Sequence, residues 1–344
     1  MSNLSAGAPL EIGAAPVGRS SGLLIDAART DRMLPFEVWY PIEVSAAVTP
    51  SVYELLPGTG FTSAGAFDAP PTPGKYPLVI FSHGRTGTRI AYTLLCEAMA
   101  ALGTVVVSAD HPGDTLIDWA LEAASDDETN EMSRVADARL MLDAAFGTIP
   151  GMPDEVRAVI DTTRVAVGGH SYGGYTALAL AAGAHGDLDA RITAAFGLQA
   201  YTRAITDADI ASISVPVLLS VATRDVTTPA ALDADRPWRL ISAPDSWRVD
   251  VGDAAHQACS DVGLYAELAP QVPDLPETLR TYLEETAAET KAEGMRGWRE
   301  SVRLQAQIVG AFLDDVLQIS SERSKQTLSA LANDTEVTVQ RRSN

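Results

Sequence analysis

Cysteine is almost missing from this chain: Cys96 and Cys259 are the only two in 344 residues. That excludes a disulfide framework and leaves either one bridge or two buried free thiols. Basic charge is short as well. Twenty-five Lys and Arg stand against 45 Asp and Glu, a formal net charge of −20. Such a balance disfavours nucleic acid and anionic membrane surfaces as partners. No stretch approaches the roughly 18 apolar residues of a membrane span. Residues 1–18 carry neither a basic start nor an apolar run, so the expectation is a cytoplasmic chain, secretion staying open where a leader has been removed. Histidine is scarce too, with five in all. No Cys/His spacing suggests zinc, and neither metal nor organic cofactor is expected.

What is present is ordinary globular material, 46% hydrophobic and 20% charged, enough to bury a core without staples. Apolar strand candidates stand at Phe36–Tyr40, Leu78–Phe81, Thr104–Ser108, Val165–Val167, Ile192–Leu198, Val215–Val221 and Trp247–Val251. Helical patterns separate several of them: Arg89–Leu102, Glu131–Phe146 behind an acidic lead-in at Asp126–Glu128, and Ser301–Leu317. Short, fully apolar strands alternating with helices predict a mostly parallel sheet covered on both faces, with ligands at the carboxyl ends of the strands. We expect one α/β domain over 1–344, with its core at about 30–318 and a polar tail at 319–344. Residues 262–300, broken at Pro270, Pro273 and Pro276, either cover the strand ends as a lid or pack on the far side as extra core.

The segment Gly169-His-Ser-Tyr-Gly173 is a G-x-S-x-G pentapeptide between the strand candidate Val165–Val167 and an Ala/Leu-rich helical run. In that setting the turn pushes the Ser171 Oγ out of the backbone envelope and onto the positive end of the helix, the position of a nucleophile.

A free serine hydroxyl is a poor nucleophile at neutral pH and needs a base. Five histidines can be weighed singly. The His170 side chain should point away from the Oγ, and His185 lies too far along the helix. His83 and His111 follow strands and could line the site, but both precede the serine. His256 follows the last strand candidate and fits the order serine, acid, histidine. For the acid, Asp225 ends the segment Val215–Asp225, while Asp253 is its rival three residues before His256. Asp233 and Asp235 read as solvated. A carboxylate here would hold the imidazole tautomer and stabilise the imidazolium. The oxyanion needs backbone donors. Tyr172, next after the nucleophile, offers one N–H, and Arg85 in the loop Ser82–Gly87 offers the other; the arginine side chain then contacts solvent or a carboxylate. His83, Gly84, His111 and Trp119 are candidate pocket residues, with core packing the plainer role for Trp119.

Three segments narrow the picture: Glu37–Pro41, Phe81–Gly84 with Arg89 and Tyr92 downstream, and Ala109–Gly113. With the serine motif they resemble the α/β-hydrolase fold, within it the platelet-activating-factor acetylhydrolase and dienelactone-hydrolase-like group, with cutinase-like polyester hydrolases as cousins. The resemblance implies an esterase with Ser171, His256 and Asp225 as its triad, and the amides of Arg85 and Tyr172 as its oxyanion hole. Dienelactone hydrolases carry cysteine where this chain has Ser171, which favours ordinary ester hydrolysis. The expected partner is a small-molecule or polymer ester. A polyester hydrolase or lipase is the alternative within enzymes, and a non-catalytic binding protein the alternative outside them. Oligomeric state, acyl group and alcohol are not written in the sequence.

Overall fold

The strand runs that are apolar at every position, such as Val105-Val-Val107, are buried on both faces. In the computed structural model, which describes residues 2–4, 16–30, 32–43, 49–56, 59–272 and 275–342, alternate residues of one strand enter two separate cores. Leu78, Ile80, Val105, Val107, Val165 and Val167 face one core, and Val79, Phe81, Val106 and Ala166 face the other. Period-two alternation is thus present, hidden because both faces are apolar.

Among the described residues twelve strands lie in one sheet: β1 (Ser2–Leu4), β2 (Val17–Asp26), β3 (Arg32–Pro41), β4 (Thr49–Leu56), β5 (Thr59–Phe67), β6 (Tyr76–Ser82), β7 (Val105–Ala109), β8 (Ile160–His170), β9 (Ala194–Leu198), β10 (Val217–Ala222), β11 (Trp247–Val251) and β12 (Val337–Arg341). The centre is parallel in the order β7-β6-β8-β9-β10-β11. On one side β3 and β2 continue antiparallel, and on the other β12 closes the edge antiparallel to β11. Helices Asp127–Phe146 and Tyr172–Ala182 cover one face, while Thr93–Ala101 and Trp298–Val316 cover the other. This is the expected fold class. Among the described residues no helix is long and apolar enough to cross a membrane.

Two expectations shift. The helix read from Arg89 starts only at Thr93, because Asp110 takes the Arg89 N–H at 2.7 Å as well as its guanidinium, which holds the chain out of helical form. The 319–344 stretch is ordered for the most part: Ser320 caps a helix at Ser321–Leu331, and β12 follows. Its polar composition is that of an edge element, with Val337 buried and its neighbours exposed. Cys96 and Cys259 are both buried and free.

Candidate active site

Ser171 stands between β8 and the helix Tyr172–Ala182 with φ 54° and ψ −117°, a conformation that costs a non-glycine residue roughly 1–3 kcal/mol. The turn is tight enough that glycine is required on both sides. A Cβ on Gly169 would meet the Gly173 carbonyl group, and one on Gly173 would run into the Ser82 carbonyl. The Ser171 N–H donates to the Leu198 carbonyl at 2.9 Å, and the Ser171 carbonyl accepts from Tyr175 and Tyr201. The strained turn is therefore held from three directions.

His256 comes from the loop after β11. Its Nε2 lies 2.9 Å from Ser171 Oγ and its Nδ1 2.8 Å from Asp225 Oδ2. A carboxylate only accepts, so Nδ1 carries the proton and Nε2 is free to accept from the serine hydroxyl. Asp225 sits just past β10. Burial would raise its carboxyl, but the bond and charge of His256 and the hydroxyl and N–H of Thr228 outweigh that and hold it below its ordinary value. Oδ1 accepts from the N–H groups of Thr227 and Thr228, both at 2.8 Å, and the Thr228 hydroxyl lies 2.6 Å from Oδ2. Asp253 is not near the imidazole; it pairs with Arg224 at 3.3 Å. Asp233 is buried rather than solvated, accepting from the Thr202 N–H at 2.9 Å, and Asp235 pairs with Arg248.

Tyr172 is the first residue of its helix, so its N–H lacks an intrahelical acceptor. Its ring turns away and stacks on Tyr175. Gly84 and Arg85 line the cleft with Ser171 and His256. The Arg85 guanidinium is spent on Asp127 at 2.6 Å, leaving only its backbone for the cleft.

His83 and His111 do not line the cleft. Both are fully buried beneath it. The His111 N–H donates to His83 Nε2 at 3.1 Å, which leaves Nδ1 of His83 to donate to the Gly84 carbonyl at 2.7 Å. Burial and the neighbouring Arg134 and His111 push the His83 imidazole well below its ordinary value. Burial first, then Arg134, lowers His111 to about 4, although Asp137 at 3.0 Å pulls the other way. Trp119 is neither core nor cleft wall. It is 41% exposed and packs its ring on Tyr282.

Other residues that shape the site carry no motif. Arg134, wholly buried in the helix Asp127–Phe146, donates to Asp114 at 2.7 Å and to the carbonyls of His83 and Gly84. It fixes the loop that carries Arg85. Tyr92 accepts the Gly84 N–H at 3.2 Å and donates to His170 Nδ1 at 2.7 Å. His170 Nε2 then donates to the His256 carbonyl at 2.8 Å. Burial and the neighbouring His256 lower His170 to about 3, so it stays neutral in this role. One relay thus ties the Gly84 loop to the His256 loop. Glu289 is a further neighbour: burial raises its carboxyl, while His256 draws it back. The segment after His256 faces the cleft, contributing Tyr265, Tyr282, Leu283 and Thr286 to its walls.

The chain matches known proteins at three levels. A family model described as Chlorophyllase matches residues 66–202. A phospholipase A2 candidate of Schizosaccharomyces pombe is 44% identical over 48 residues, 14% of this chain and 11% of that protein, so the match spans about a tenth of that relative's length. A ferulic acid esterase from Streptomyces cinnamoneus superposes with a TM-score of 0.68 at 22% identity, covering 99% of this chain and 100% of the esterase, which establishes the shared fold. With the sheet order, the superposition bears out the α/β-hydrolase fold that the sequence resemblance implies.

Proposed function

We propose that this chain is a serine hydrolase that cleaves carboxylic esters through an acyl-enzyme. The observation that carries the reading is the unbroken contact from Ser171 Oγ to His256 Nε2 and from His256 Nδ1 to Asp225. Ser171 attacks the ester carbonyl while His256 takes its proton. The tetrahedral oxyanion is received by the backbone N–H groups of Arg85 and Tyr172, at the positive end of the helix. His256 returns the proton to the leaving alcohol. A water then attacks the acyl carbonyl and gives its proton to His256; as the bond to Ser171 breaks, His256 returns that proton to Oγ and the acid leaves. Asp225 stays ionised throughout and stabilises the imidazolium.

The test is hydrolysis of p-nitrophenyl acetate by wild type and Ser171→Ala. Removal of the nucleophile alone should lower kcat by about 10⁴–10⁶-fold. Turnover that persists in the variant rejects the assignment, and an inert wild type favours a binding protein on a hydrolase fold.

A further inference from the structure

The cleft at Ser171 is small, about 90 Å³. It does not end there. Thr88, Leu116, Tyr265 and Leu283 line both this cleft and an adjoining cavity of about 440 Å³. The second space lies within the roughly 300–1,000 Å³ of small-molecule sites. It is about three times the roughly 150 Å³ apolar cavity known to take a benzene molecule.

Its walls come from two elements. The helix Leu116–Ala120 and the residue after it supply Leu116, Ile117 and Leu121; the segment after His256 supplies Leu275, Leu279 and Leu283. Leu279 and Leu283 are four residues apart on the helix Glu277–Ala288 and share one face. Most of the polar side chains in the wall are already engaged, the Tyr265 hydroxyl donating to the Ile90 carbonyl. Arg89 binds Asp110 and Glu37, and Thr115 donates to Asp118 at 2.6 Å. Little remains to recognise a charge or a sugar. Ile117 and Leu121, 66% and 72% exposed, carry the apolar lining out to solvent.

Resting on the serine-esterase reading, we infer that this cavity is a subsite for a long, uncharged apolar arm of the ester, which runs from Ser171 past Leu116 and Leu283 toward Leu279. The preferred substrates are esters of a long alkyl or extended aromatic group. Short soluble esters leave the cavity unfilled and forgo its binding free energy. The arm belongs to the acid or to the alcohol, and two ester series separate these sources.

The experiment measures kcat/KM on the acetate, decanoate and dodecanoate of p-nitrophenol and on ethyl, decyl and dodecyl acetate, all below their micellar concentrations, with wild type, Leu279→Trp and Leu279→Ala. Wild type should favour one decyl ester over its short-chain counterpart by at least tenfold. Preference for the decanoate assigns the arm to the acid, and preference for decyl acetate assigns it to the alcohol. Filling the cavity with tryptophan should cut that long-to-short ratio about tenfold or more, as expected when a few methylene contacts are lost. The alanine variant, which enlarges the space and is gentler on folding, should shift the optimum to a longer chain. A wild type that cleaves acetate with no preference for either decyl ester overturns the subsite alone. So does a ratio that neither variant moves. A wild type inert on all of these esters removes the esterase reading beneath it.

Discussion

The floor and the roof of the cleft are built differently. Below Ser171, the rings of His83, His111 and His170 and the guanidinium of Arg134 are buried, and each is bound to a named partner. Above it, the helix Glu277–Ala288 buries only Ala287 among its own residues. It meets the rest of the site through the Tyr282–Thr86 bond at 2.8 Å, the Tyr282–Trp119 ring contact and the leucines of the apolar cavity. A network of directed bonds fixes atoms to within fractions of an ångström, which acid–base chemistry requires. An apolar surface fixes only volume, which suits selection among hydrocarbon groups. On the proposed esterase reading, the floor carries the chemistry and the roof selects the substrate.

Three measurements test that contrast. The largest effect is expected from acid. An unfolded imidazole titrates near 6.5, whereas native His111 and His170 are held at about 4 and about 3. The depressed native values mean that each neutral ring contributes stability in full above about pH 6.5. That contribution drains away as pH falls toward the native values, about 2–3 kcal/mol per ring by pH 4.5. Buried Glu97 and Asp261 have raised values and act in the opposite sense. Ring-resolved imidazole ¹⁵N NMR therefore isolates the effect: both rings should remain neutral at pH 5.5. Protonation of either by then would show that the floor is looser than its bonds suggest.

A smaller effect is expected from Tyr92→Phe, which leaves the Gly84 N–H and His170 Nδ1 without their shared partner. The expected outcome is a fall in kcat of roughly tenfold through displacement of both loops, with KM little changed. A change confined to KM would move Tyr92 from positioning the machinery to holding substrate. The smallest effect is expected from Tyr282→Phe, which removes the hydroxyl bond between the roof and Thr86 of the Ser82–Gly87 loop. Steady-state kinetics should show kcat within about twofold of wild type and a modest rise in KM, in keeping with about 1 kcal/mol for one such bond. A large loss of kcat here would erase the distinction between the two regions.

Much of the architecture can be read from local pattern. Six central strands announce themselves as apolar runs, and the turn around Ser171 is written in its glycines. His256 can be singled out because histidines are so few. What local pattern hides is partnership. Arg134 reads as one more charged residue in a helix rich in acids and bases; only the packing of that helix under the Ser82–Gly87 loop gives it its contacts. His83 and His111 follow strand ends, as residues facing the cleft would, yet the loop folds over them. Strands β4 and β5 have weak alternation and a proline, Pro50, so their strand character comes from antiparallel pairing with each other rather than from their own residues. The roof escapes for a related reason, since its leucines find their neighbours only across the cavity.

The closing strand β12 has a consequence in time as well as space. It pairs along the whole of β11, Val249 against Val339, and the Glu336 carbonyl receives the Gly252 N–H just ahead of the His256 loop. The strand that precedes His256 is thus flanked by residues synthesised well after it. During translation, β11 presents an open edge until β12 emerges from the ribosome, a state in which sheet edges recruit other chains. Settling of the His256 loop and protection from aggregation therefore arrive in the same event.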